Sequence, residues 1–220
     1  MANKAIFLLS LSSMSEKEQL DGRSTRAQGI YKLTHDLLLE SAIELLNNPK
    51  MDPEKVTLAQ IAKNCKLSTA VAYKHFPDKM MDVYGAVIGK VSDEMLKDME
   101  VAALKERDPL TLLEKMLSIF TEASIDTGQA TRIAFSNRHT LLREDKWFAR
   151  QPVDTLTEIL SGVPKLQEKP RVVAQRIHYM WNGLLFLWIS YQKDHHIFSK
   201  YTDAWFRKES KNIVSLALQR

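Results

Sequence analysis

The residues whose types and spacing point most directly to chemistry lie between positions 56 and 83, in V-T-L-A-Q-I-A-K-N-C-K-L-S-T-A-V-A-Y-K-H-F-P-D-K-M-M-D-V. From Lys55 to Lys79 there are five lysines and a single acid, Asp78. A local excess of ammonium groups neutralises phosphates, the dominant electrostatic contribution to nucleic-acid affinity. Tyr73, Lys74 and His75 are consecutive, so a hydroxyl, an ammonium and an imidazole are available to phosphate oxygens. Thr69, Ala70 and Lys74 face outward if this segment is helical, where small and polar side chains can approach base edges. Lys79 opens the next helical segment, and free backbone N–H groups at a helix start are a further phosphate site.

No chemistry of comparable strength occurs elsewhere. A nucleophile elbow, a phosphate loop and a metal-spaced cluster are all missing, so no catalytic residue is assigned and no enzyme is expected. The single cysteine, Cys65, excludes an intrachain disulfide and a zinc site of several thiolates. It reads as a small core residue. Asp194-His195-His196 reads as a solvated loop, because metal ligands must converge from separate parts of the chain. No metal and no cofactor are expected.

The elements that would position the basic segment are helices. In residues 26–46, Ile30, Leu33, Leu37, Leu38, Ala42, Leu45 and Leu46 recur at three- and four-residue steps, one apolar stripe of an amphipathic helix. Ser24 or Thr25 could cap it, and Asn47-Asn48-Pro49 ends it, since proline disfavours helix in the residue before it. Thr57 can cap a short helix over 58–64, and Ser68 a second over 69–76. Cys65-Lys66-Leu67 makes the turn between them. Two short helices joined this way form a helix-turn-helix, whose second helix enters the major groove. A longer helix follows from about Lys79, with Asp78 as its expected cap.

The rest is also helical by period: 109–125, a short helix near 131–138 after Gly128, 145–160, 170–192 and 203–218. About nine helices result, an all-α fold. With only 7 Gly and 7 Pro in 220 residues, a many-stranded sandwich or barrel is excluded. The longest apolar stretch, 179–191, is thirteen residues long, short of the ~20 a membrane span needs. The short apolar run 5–9 has no cleavage site after it, so residues 1–22 read as a flexible tail, with Met14 an alternative start. Net charge is +4, and it resides in the second half of the chain, not in the basic segment.

The stretch 26–83 resembles the DNA-binding domain of the TetR family of transcriptional repressors. The matching residues are Thr57, Ile61-Ala62, Leu67-Ser68, Tyr73, His75-Phe76 and Lys79, after a helix carrying Ser41-Ala42 and Glu44-Leu45. The resemblance implies that Thr57 and Ser68 cap helices and meet phosphates, that Thr69, Ala70 and Lys74 read bases, and that Tyr73, His75 and Lys79 clamp the backbone. Lys66 stands where the family has its turn glycine, and Asp82 where a leucine is common.

The organisation that follows is a tail (1–22), a three-helix DNA-binding domain (23–80), and a larger helical domain for effector binding and dimerisation (81–220). All four tryptophans lie in the last part. The resemblance implies a homodimer on a palindromic double-stranded operator, in the cytoplasm and not on a membrane, released by a small effector; the absence of a clustered charge pattern points to an apolar or aromatic one. Met116, Phe120, Phe135, His139, Trp147, His178 and Trp181 are candidate pocket residues. The implied dimer face is the stripe Val173, Ile177, Met180, Leu184, Leu187 and Tyr191 with Ile213 and Leu216. The alternatives are a DNA-binding protein of this fold acting through protein partners, without an effector, and, with no motif behind it, a helical enzyme using His139, Glu144 and Asp145.

Overall fold

The computed structural model describes residues 22–146 and 153–218, and no strand occurs among them. Among the described residues eleven α-helices follow one another: α1 (Gly22–Leu46), α2 (Leu58–Asn64), α3 (Thr69–His75), α4 (Met80–Lys105), α5 (Pro109–Asp126), α6 (Gly128–Ser136), α7 (Arg138–Arg143), α8 (Val153–Leu160), α9 (Pro170–Ile189), α10 (Asp203–Lys211) and α11 (Ile213–Leu218). The expected tail falls outside the described residues, apart from Gly22. The chain forms two compact units that divide within α1, one ending at Leu37 and the other running from Leu38.

In the first unit α1 is exposed. Ile30 and Leu33 are 58% and 71% accessible, so these members of the predicted apolar stripe are not spent on a core. In the second unit the stripe continues as expected, with Leu38, Ala42 and Leu46 buried. They join one apolar cluster with Ile61 and Ala62 of α2, Ala72 of α3, Phe76, and Val83, Val87 and Val91 of α4. Ala130 and Ala134 of α6 and Leu141 of α7 complete it. Each fully buried leucine or valine in such a cluster is worth roughly 1.5–3 kcal/mol.

A second cluster centres on Leu185 and Trp188 of α9 and Phe206 of α10. Here polar contacts fix the helix positions. The buried Arg132 of α6 donates to the carbonyl of Trp188, and its guanidinium lies 3.8 Å from the centre of the Trp188 ring. Burial lowers its pKa to about 10, with Asp203 opposing. Trp188 Nε1 donates to Asp203 Oδ1 at 2.8 Å. Arg207 of α10 donates to Glu122 of α5 at 2.8 Å.

Several boundaries differ from expectation. The C-terminal helix is two helices broken at Asn212, and the helix expected at 145–160 is described only as Val153–Leu160. Asp145 cannot start it, having φ 54°, and Arg138–Arg143 is a further helix. Ser24 and Thr25, the expected caps, lie inside α1, which starts at Gly22. α9 stops at Ile189, three residues early.

Candidate functional site

The helix-turn-helix is built from local hydrogen bonds. Thr57 caps α2: its Oγ1 accepts from the Gln60 N–H at 3.3 Å, while its own N–H donates to Gln60 Oε1 at 2.8 Å. This reciprocal capping box uses two otherwise orphaned donors. Its hydroxyl also donates to Gln60 Oε1 at 2.9 Å, so Thr57 is committed to holding α2. The turn closes with Leu67 N–H donating to Ala62 O at 2.9 Å and Lys66 N–H to Lys63 O at 3.0 Å. That pattern puts a left-handed residue between the helices. Lys66 takes the place with φ 58°, the backbone geometry for which glycine is usual. Ser68 Oγ then accepts from Val71 N–H at 3.3 Å and starts α3.

Helix α3 has two faces. Ala72, His75 and the following Phe76 point into the core. Thr69, Ala70, Tyr73 and Lys74, at helical positions i, i+1, i+4 and i+5, share the exposed face, with Tyr73 42% accessible. The expected backbone role of His75 is therefore corrected: at 8% exposure it packs beside Phe76. Its position three residues after Ala72 was the available signal. Lys79 is exposed and holds φ 58° as the N-cap of α4.

Asp78 does not cap α4, which has no side-chain cap. The Asp78 N–H instead donates to Asp82 Oδ2 at 2.6 Å. Asp82 thus earns its place where a leucine is common by polar contact, not packing. Lys146, which follows α7, hydrogen-bonds to Asp78 and lies 3.1 Å from Asp82 Oδ1. The Asp78 contact chiefly, with Asp82 adding, raises the pKa of Lys146 against the effect of burial.

A second tie joins the motif to α6. Asn47, just past α1, accepts from the Gln129 N–H at 2.6 Å through Oδ1, and its Nδ2 donates to Thr127 O at 3.1 Å. A side chain more than eighty positions away in sequence thereby satisfies the α6 N-terminus. Gly128 has φ 49°, and a Cβ there would stand 2.9 Å from Asn47 Oδ1.

The pocket candidates separate. Phe120 and Trp181 meet with ring centres 5.6 Å apart, and Trp181 Nε1 donates to Thr121 Oγ1 at 3.3 Å. Met116 is fully buried, while Phe135 and His178 are half-buried. Burial first, and the Arg138 charge second, lower the pKa of His178. His139 is exposed and belongs to no such cluster, because its position on the short α7 turns it away from Leu141. Trp147 lies outside the described residues. A groove of about 370 Å³ between α4 and α5 is walled by acidic residues, including Asp98, Glu122 and Asp126, and by none of the pocket candidates.

The expected dimer stripe is also redistributed. Val173 and Ile177 of α9 and Ile213 of α11 are buried within the chain itself and cannot form a face. Met180, Leu184, Leu187 and Tyr191 are half-buried, and Leu216 is exposed. The outward apolar residues of α9 are Val172, Tyr179 and Phe186, the last two 66% and 70% accessible. They recur every seven residues, and Gly183 between them has open space where a Cβ would stand.

The sequence matches no protein-family model and no curated protein. In structure it is similar to FadR of Thermus thermophilus, a TetR-family transcriptional repressor solved in complex with lauroyl-CoA. The TM-score is 0.59 over 84% of this chain and 93% of that one, at 15% identity. The chain has the fold of a TetR-family repressor. On that fold the capped helix pair α2–α3 is a helix-turn-helix whose second helix carries Thr69, Ala70, Tyr73 and Lys74 outward. Among the described residues, no helix is long and apolar enough to cross a membrane.

Proposed function

We infer that the protein is a TetR-type, DNA-binding transcriptional regulator. The observation that carries this is the exposed face of α3: small, hydroxylated and cationic side chains on a helix capped at its start, with Lys79 close in sequence beyond it. Thr69 and Ala70 read base edges near the N-terminus of the recognition helix. Lys74, Tyr73 and Lys79 hold phosphates, and Ser68 has a hydroxyl hydrogen to donate to another. Thr57 acts by shaping α2. The residues 23–80 form the reading head and 81–220 the body.

Two copies pair through the outward stripe of α9, Val172, Tyr179 and Phe186 about Gly183, with Leu216 of α11 beside it. The pair reads an inverted repeat of double-stranded DNA in the cytoplasm. A small apolar or aromatic effector enters the body near Phe120, Trp181, Met116, Phe135 and His178, and shifts the dimer to a form whose reading heads no longer match the half-sites. Such a shift requires different effector affinity in the two forms.

Lys74→Ala tests the assignment of α3. On duplexes recovered from a random library, it should weaken binding and reduce the slope of log affinity against log salt by about 1. Tyr73→Phe should weaken binding less. Wild-type affinity and salt slope in Lys74→Ala would remove α3 from the interface.

A further inference from the structure

Lys146 lies in a setting that the expected contacts of the reading head do not explain. Its side chain is 15% exposed, and its ammonium faces three carboxylates: Asp78, Asp82 at 3.1 Å and Glu144 at 3.6 Å. Asp78 and Asp82 bracket Lys79, and Asp78 is 67% exposed. Asp82 also accepts from the N–H of Asp78, the residue before the N-cap of α4, at 2.6 Å. The edge that should attract phosphate therefore contains two carboxylates beside its lysine. Their charge is met by a cation from a different part of the chain, sixty-eight positions away from Asp78 in sequence.

We propose that Lys146 is a charge mask, cancelling Asp78 and Asp82 at the DNA-facing edge so that phosphates can approach Lys79 and α3. A form of the body that withdraws Lys146 exposes both carboxylates and turns that edge repulsive. DNA is then released by electrostatics at the reading head, in addition to any change in half-site spacing. The cation belongs to the segment after α7, and Asp78 and Asp82 flank Lys79 where the reading head passes into α4, so the mask links the body to that edge. This inference rests on the DNA-binding reading above.

The test uses full-length protein, a duplex recovered by library selection, and a mixed-sequence duplex. Lys146→Gln should lower affinity for both by about tenfold or more at low salt, and the deficit should shrink as salt screens the carboxylates. Lys146→Arg should bind like the wild type. Adding Asp78→Asn and Asp82→Asn to Lys146→Gln should restore affinity, because no charge then needs masking. Wild-type affinity in Lys146→Gln overturns the mask. So does a triple variant that folds with wild-type helicity yet binds as weakly as Lys146→Gln, which would make Lys146 a brace for α4. If Lys146→Gln fails to fold, Asp78→Asn with Asp82→Asn in the otherwise wild-type chain must still bind more tightly than wild type, and equal or weaker binding overturns the mask. A wild-type protein that retains no duplex at all refutes the DNA-binding reading itself, a result distinct from each of these.

Discussion

Helices α3 and α9 each present one face to solvent, and the two faces have opposite chemistry. On α3 the outward residues are Thr69, Ala70, Tyr73 and Lys74, short or polar side chains beside a cation. On α9 they are Val172, Tyr179 and Phe186 around Gly183, a seven-residue apolar spacing. Water solvates the first face at little cost, so it can remain open until a polyanion takes it. Covering the second removes large apolar area from water, so a matching apolar face is its natural partner. The proposed roles, reading for α3 and pairing for α9, rest on what each face leaves unsatisfied.

The sharpest way to test that contrast is to attack α9 on its two sides. Ile177→Ala, on the buried side, should cost about 2–5 kcal/mol in denaturant unfolding. Phe186→Glu, on the outward side, should leave the helical fold intact yet shift sedimentation toward monomer at micromolar concentration. If Phe186→Glu sediments as the wild-type dimer, the outward stripe is not the pairing face.

The next effect concerns how the segment after α1 is tied to α6. Gly128→Ala forces a Cβ onto a left-handed backbone and into Asn47 Oδ1. A loss of about 1–2 kcal/mol in thermal unfolding is expected. An unchanged midpoint would show that the Asn47 cap on α6 does not brace the fold.

A smaller change separates folding from recognition within the motif. Lys66→Gly relieves the left-handed turn residue and should stabilise the protein by up to about 1 kcal/mol, with DNA affinity unaltered. Lys79→Gly also removes a positive φ from a side-chain-bearing residue, but it should weaken DNA binding, because it removes the ammonium proposed to hold phosphate. Equal DNA affinity in the two variants would remove Lys79 from the interface.

These regions also differ in how legible they were from sequence. The bounds of α2 follow from Thr57 and Gln60, and the start of α3 from Ser68, because capping acts over three residues and leaves a fixed spacing. The all-helical class follows from the apolar period and the scarcity of glycine and proline. Helix α9 is apolar on most of its circumference, so the period gives no phase. The buried Val173 and Ile177 look the same in sequence as the exposed Val172 and Phe186. His75 was misplaced by chemistry: an imidazole beside Tyr73 and Lys74 reads as a phosphate ligand until the Ala72–Phe76 inward face is counted. The Lys146 and Asn47 contacts span long sequence separations, and no local pattern announces them. Leu33 shows the converse, an apolar stripe position that the chain leaves in water.

The central claim is that a pair of α3 helices reads a DNA inverted repeat. Selection of duplexes from a random library by the wild-type protein, followed by sequencing, tests it most directly. The account predicts enrichment of an inverted repeat whose half-sites lie about one helical turn apart or a multiple of it, bound by two copies of the chain. Enrichment of no sequence over the starting library, at salt low enough to retain non-specific complexes, would contradict it.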